Sequence, residues 1–143
     1  MIDAEKQFDF EIVCPDKKVM EDVAWQVVVP GDEGDFGILS NHSAVVSSLR
    51  AGVVTIYQEK STQIPERIFV SGGFVDVTSD ACKILADEAV NVNDFDHGEI
   101  EKEIQNLNED LGIAEGDHDK AKIEAKISLA KAKLSAVTTR LIV

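Results

Sequence analysis

Near Asn91 the chain changes texture, and that break restricts the folds open to it. Pro15, Pro30 and Pro65, the only three prolines, precede it, as do six of the nine glycines. β-Branched residues crowd the first part, whereas Ala, Glu, Lys and Leu crowd the second. Pro and Gly punctuate turns between short strands, while the second set favours helix. Two modules are expected, a β domain over residues 1–90 and a helical one over 91–143, joined around Asn91-Val92-Asn93.

Short apolar stretches recur between turn signals in the first part. Phe8, Phe10 and Ile12 alternate with charged neighbours, and Cys82, Ile84 and Ala86 alternate likewise. Val23 to Val29 reads as one continuous buried strand stopped by Pro30-Gly31. Gly52 to Tyr57, Arg67 to Val70 and Phe74 to Val77 supply further strands. Their spacing predicts an antiparallel sandwich or barrel, and the missing βαβ rhythm excludes a parallel doubly wound sheet.

The second part has heptad spacing. Asp96 is a candidate N-cap with Glu99 three residues on, as in a capping box. Ile100, Ile104, Leu107, Leu111 and Ala114 follow at steps of 4, 3, 4 and 3. Gly112 and Gly116 interrupt the pattern, and Asp117 or Asp119 can cap a second helix. Its seam is Ile123, Ile127, Ala130, Leu134, Val137 and Leu141. Two consecutive helices with a short polar link predict an antiparallel hairpin. Ala121, Ala125, Ala132 and Ala136 keep the second helix slim.

Charge excludes some functions. The chain holds 14 Lys+Arg and 27 Asp+Glu, giving −13. Nucleic acid is therefore not an expected partner. The charge is uneven: residues 94–119 carry ten acids and one base, −9, and residues 120–143 carry six bases and one acid, +5. The second helix can thus attract the first, or meet an acidic surface elsewhere. No apolar run exceeds three residues, so no bilayer span is expected. Met1 to Asp9 lacks an apolar core, so no signal peptide is expected, and Cys14 and Cys82 are expected as reduced thiols.

No catalytic constellation stands out. His42, His97 and His118 share no ligand spacing with either Cys, so no metal is expected. Gly31-x-x-Gly34-x-x-Gly37 fits neither a dinucleotide fingerprint nor a P-loop, and Asp32, Glu33 and Asp35 within it would repel phosphate. Asp94 to Gly98 resembles a calcium loop only superficially, because Gln105 stands where the closing Glu belongs. The residues alone favour an adapter or regulatory subunit over an enzyme.

Three segments carry a family resemblance. Pro30-Gly31-Asp32-Glu33-Gly34-Asp35-Phe36-Gly37-Ile38-Leu39-Ser40-Asn41-His42 is similar to P-G-x-x-G-x-[FL]-G-I-L-P-x-H-A-P. Ser71-Gly72-Gly73-Phe74-Val75-Asp76-Val77 is similar to S-G-G-[FI]-x-E-V, and Ile84 to Ala89 resembles the end of the same family's sandwich. By their order and spacing the chain resembles the epsilon subunit of the bacterial F-type ATP synthase, called delta in mitochondria.

The resemblance implies a ten-stranded β-sandwich followed by a two-helix hairpin, in a non-catalytic subunit of the central rotor stalk. It implies the gamma subunit and the c-subunit ring as partners, with the alpha and beta subunits reached through the C-terminal helices. It also implies a peripheral location on the cytoplasmic face of the bacterial inner membrane, through the complex alone. Carried over by motif, Glu33, Asp35, Phe36, Ile38 and His42 are the expected c-ring contacts, with Asp35 pairing a basic loop residue of the ring. Gly72, Gly73 and Phe74 are the expected gamma contacts. Lys122, Lys126, Lys131, Lys133 and Arg140 would let the last helix meet acidic segments of the beta subunits and restrain ATP hydrolysis.

The chain departs from the pattern at Ser40, which replaces Pro, and at Ser43-Ala44, which replace Ala-Pro. Relatives that bind ATP carry an I-D-x-x-R-A-type motif, whereas Glu99 and Ile100 stand here for its Arg and Ala. ATP binding is therefore expected to be weak or absent, and no cofactor is expected. The alternative is a stand-alone nucleotide-sensing or adapter β-sandwich protein, which Glu99 and the missing catalytic groups disfavour.

Overall fold

The computed structural model describes residues 6–142, with side chains to residue 138. The chain divides into two compact units between Asn91 and Val92. The first holds ten strands: β1 (Phe8–Cys14), β2 (Lys17–Ala24), β3 (Gln26–Gly31), β4 (Gly34–Leu39), β5 (Val45–Leu49), β6 (Gly52–Tyr57), β7 (Glu66–Val70), β8 (Gly73–Val77), β9 (Ala81–Ala86) and β10 (Ala89–Asn91). The hydrogen-bonded order is β10-β7-β6-β3-β5-β8-β9-β1-β2, with β4 paired to β3 alone.

The strands fold into two layers. β3 and β5 touch in register only at Gly31↔Leu49, so this point joins β10-β7-β6-β3-β4 to β5-β8-β9-β1-β2. Alternate residues of both layers share one core, among them Phe10, Ile12, Val27, Val29, Ile38, Val54, Ile56, Val75 and Ile84. Period-two alternation makes this possible, since every second side chain points the same way. Cys14 and Cys82 are buried free thiols within it. Burial pushes the Cys82 thiol up to about 12, which keeps it protonated and unreactive.

Three details differ from the expectations drawn from sequence. Val23 to Val29 is two strands, broken at Trp25. The layers impose the break: β2 pairs β1 while β3 pairs β4 and β6, and the Trp25 N–H turns to Tyr57 O at 2.8 Å. The Gly31 to Gly37 stretch, where no strand is expected, is the β3–β4 hairpin, turning at Asp32-Glu33. Finally, one strand pair is parallel, β1 against β9. Such a pair needs no βαβ unit, because the chain between its strands runs through the opposite layer.

The second unit opens with a 3-10 turn (Val92–Asp94), then α1 (His97–Ile113) and α2 (Asp117–Ile142). Asp96 caps α1, its Oδ1 accepting from the Glu99 N–H at 3.0 Å. Gly112 does not break α1 as expected; it lies inside the last turn, and Ala114 follows as the C-cap. The break comes at Gly116, whose φ of 88° suits glycine. Asp117 and Asp119 fall in the first turn of α2, where the helix dipole favours them, rather than before it. α1 and α2 pack together as a hairpin. Its seam is uneven: Ile100, Ile127, Ala130 and Val137 are buried, whereas Ile104, Leu107, Leu111, Ile123 and Leu134 stay half-buried. The Leu141 side chain lies outside the described residues.

Candidate functional site

Two surfaces of the sandwich gather the residues singled out in the sequence. The first is the end of the β3–β4 hairpin. Gly31 and Gly34 face each other across the two-residue turn. A Cβ on Gly31 would meet Gly34 O at 2.7 Å, and Gly34 has φ 140°, so both positions need glycine. The turn exposes Asp32 and Glu33. Glu33, Phe36 and His42 line one open hollow of about 550 Å³ with Val45 and Val46. His42 is held there by its Nδ1, 2.7 Å from Ser43 O.

Asp35 and Ile38 are placed differently. The Asp35 carboxylate pairs with Arg50 of its own chain. Ile38 is 1% exposed and packs in the core, so it presents no side chain at the surface. The strand period sets the faces of β4: Phe36 and Ile38 share the inward face, Ile38 enclosed in the core and Phe36 at its edge beside the hollow, while Asp35 points outward.

The second surface is the outer face of β8, β9 and β1. Gly72 and Gly73 enter β8 at φ 128° and 140°. A Cβ on Gly73 would lie 2.0 Å from Leu85 O, so β9 crosses here closer than any other residue permits. Phe74 follows, 53% exposed. Its register partner is Leu85, 45% exposed, and Leu85 in turn pairs with Val13 on β1. These three form an outward apolar row beside a hollow of about 320 Å³. One step along the strands the face is charged: Lys18 bonds Glu21 at 2.8 Å and Glu11 at 3.3 Å, and Lys83 lies 3.5 Å from Glu11. The Lys18 hydrogen bond, helped by the charges of Lys18 and Lys83, holds the Glu11 carboxyl below its usual range.

Sequence motifs found Phe74 but missed Leu85 and Val13. The signal was present: with Cys82, Ile84 and Ala86 inward, Leu85 must point out, and an outward Leu is conspicuous.

On α2, Lys122, Lys126 and Lys131 are exposed. Lys133 is half-buried, its Nζ 5.9 Å from the Phe95 ring centroid. The Arg140 side chain lies outside the described residues. Glu99, in the first turn of α1, is exposed. Among the described residues no group of three His, Cys, Asp or Glu could hold a metal ion, and no helix is long and apolar enough to cross a membrane.

The chain is thus a β-sandwich that carries an outward apolar row and a charged hairpin on its surface, followed by a pair of helices. Residues 7–92 match the beta-sandwich domain of the ATP synthase delta/epsilon chain, and residues 96–141 match the C-terminal domain of the ATP synthase epsilon chain. The ATP synthase epsilon chain of Rhodospirillum centenum is 34% identical over 137 residues, covering 94% of each chain. That of Rhodospirillum rubrum is 35% identical over 128 residues, 90% of this chain and 94% of the other. The fold is also similar to a chain in the Euglena gracilis mitochondrial ATP synthase OSCP/F1/c-ring structure, with TM-score 0.81 and 19% identity, over 96% of this chain and 84% of that one. A chain of the Tetrahymena thermophila mitochondrial ATP synthase central stalk/c-ring gives TM-score 0.60 and 14% identity, over 93% and 98%.

The chain belongs to the ATP synthase epsilon-chain family, the non-catalytic central-stalk subunits of that rotary enzyme.

Proposed function

We propose that this subunit couples c-ring rotation to ATP synthesis by docking gamma on the outer face of β8–β9–β1 and the ring on the β3–β4 hairpin end. The observation that carries the reading is the Phe74–Leu85–Val13 row. Exposed apolar side chains lined up across neighbouring strands, with charged pairs beside them, fit a partner that buries the row and leaves the charges at the rim. Glu33, Phe36 and His42 supply a second, more polar surface suited to the loops of a ring. The assembly would sit at the cytoplasmic face of the bacterial inner membrane, held there by the ring.

The test is complex formation with purified gamma. Phe74→Glu with Leu85→Glu should weaken it at least about 100-fold, since losing a hot-spot side chain costs about 2 kcal/mol or more and both changes also place a carboxylate in the apolar row, and the double variant should keep its melting temperature. Equal binding by wild type and variant would move gamma to another face.

The hairpin is assigned a restraining role. Lys122, Lys126, Lys131, Lys133 and Arg140 would pair with acidic segments of the catalytic subunits, and neutralising all five should raise ATP hydrolysis by the assembled enzyme. No change would end that assignment. ATP itself is proposed not to bind, because Glu99 would face its phosphates. Millimolar ATP should leave the melting temperature of the isolated chain where it is, and a clear rise would reverse this.

A further inference from the structure

Arg50 lies outside every motif the sequence offers, in the turn between β5 and β6. From there it holds both arms of the β3–β4 hairpin. Its N–H donates to Pro30 O at 3.0 Å. Its Nη1 donates to Gly31 O, and its Nη2 donates to Asp35 Oδ1. Pro30 and Gly31 end β3, and Asp35 stands near the start of β4. One planar guanidinium thus fastens a backbone carbonyl and a carboxylate on opposite strands, a geometry that suits a fork of fixed donors.

Little else fastens this end. β4 pairs with β3 alone, and β3 meets β5 in register only at Gly31↔Leu49. Beyond that, the Asp32 N–H donates to Ser48 O at 3.1 Å. The direction in which the hairpin tip leaves the sandwich therefore depends on Arg50. Asp35 has a consequent constraint. A partner's cation approaching its carboxylate would come within a few ångströms of the Arg50 guanidinium, and like charges at that distance repel. Among the described residues Asp32 and Glu33, by contrast, enter no ion pair.

We infer that Arg50 is a positioning residue, which sets the direction of the β3–β4 hairpin for docking, and that Asp35 is its intramolecular anchor rather than a charge offered to the partner. The inference rests on the reading of this hairpin end as the ring-facing one. An exposed ion pair alone contributes little; here the same side chain also ties a carbonyl, so its loss removes two charge-assisted bonds at once and leaves the hairpin end held by backbone bonds alone.

Two measurements test it. Hydrogen exchange on the isolated full-length chain needs no partner. Arg50→Gln should speed exchange of the amides across 31–39 about fivefold or more, as expected when charge-assisted bonds that close a local unit are removed, with the β8 and β9 amides unchanged. Asp35→Asn should act in the same direction, and the double variant should be no worse than Arg50→Gln alone. In the assembled enzyme, protons pumped per ATP hydrolysed should fall for Arg50→Gln, and the unchanged β8 and β9 amides assign that fall to the hairpin end rather than to the gamma-docking face. Unchanged exchange in Arg50→Gln overturns the inference whatever the assembled enzyme does. Asp35→Asn lowering the pumping ratio with hairpin exchange intact also overturns it, by making Asp35 a direct contact. Faster exchange with an intact pumping ratio overturns the docking role and places the fault in the ring-facing reading, not in the strap.

Discussion

The sandwich and the hairpin solve the burial problem in opposite ways. In the sandwich, Ile12, Val27, Val54, Ile56, Val75 and Ile84 are wholly enclosed, each by strands far away in sequence. In the second unit only Val92, Ile100, Ile127, Ala130, Ala136 and Val137 are buried among the described residues, and most of the α1 seam, with Ile123 and Leu134 of α2, stays partly exposed. A two-layer core cannot lose one strand without opening the rest. A hairpin of two helices keeps its backbone bonds when its seam parts, because those bonds run within each helix. The sandwich is therefore suited to a fixed mount, and the hairpin to a part that can change partners. α2, at 26 residues, would reach about 39 Å if extended from α1.

The largest expected effect lies where the sandwich has no tolerance. Gly73→Ala forces a Cβ onto Leu85 O and should cost at least about 4 kcal/mol in urea unfolding, enough to unfold a marginal domain. A mild loss there would mean that β8 and β9 can part, and the contrast with the hairpin would weaken.

Next comes a matched pair of truncations. Ile84→Ala, in the enclosed core, should cost about 2–5 kcal/mol. Leu107→Ala, on the half-exposed seam of α1, should cost no more than about 1 kcal/mol, since solvent already reaches the site. Equal losses would show the two units to be equally tight. Unfolding followed separately by strand and helix probes reads both.

The smallest effect has the opposite sign. Gly112 sits inside α1, and a Cβ added there would meet nothing within 4 Å, so Gly112→Ala should stabilise the helix by about 0.5–1 kcal/mol. The same substitution is thus expected to ruin one unit and improve the other. A destabilised Gly112→Ala would show that the end of α1 needs glycine for a reason other than room.

Much of this organisation was legible in the chain. The change of texture near Asn91, the alternation in β1 and β9 and the heptad steps of both helices each state a local period, and period is what a sequence displays directly. Asp96 was legible as a cap for the same reason, because its partner lies three residues on. Four strands were not. β2 is a polar edge strand, β4 carries Gly34 and Gly37, β5 carries the two serines Ser47 and Ser48, and β10 is three residues long. Each exists because a neighbour offers it a ladder, not because its own residues demand one.

The candidate surfaces divide in the same way. The glycines at 31, 34, 72 and 73 could be singled out from the sequence, since turns and close crossings need that residue. That Arg50 already engages Asp35 could not, because the two are brought together only by the meeting of β3 and β5. Nor could the row from Phe74 to Leu85 to Val13, which requires the register of three strands, one of them parallel. The two modules, their periods and their turns depend on neighbours a few residues apart, so the order of residues was enough to set them. Which outward side chains stand side by side, and which charges are already engaged, was left to the folded domain, because both follow from strand pairing across its whole width.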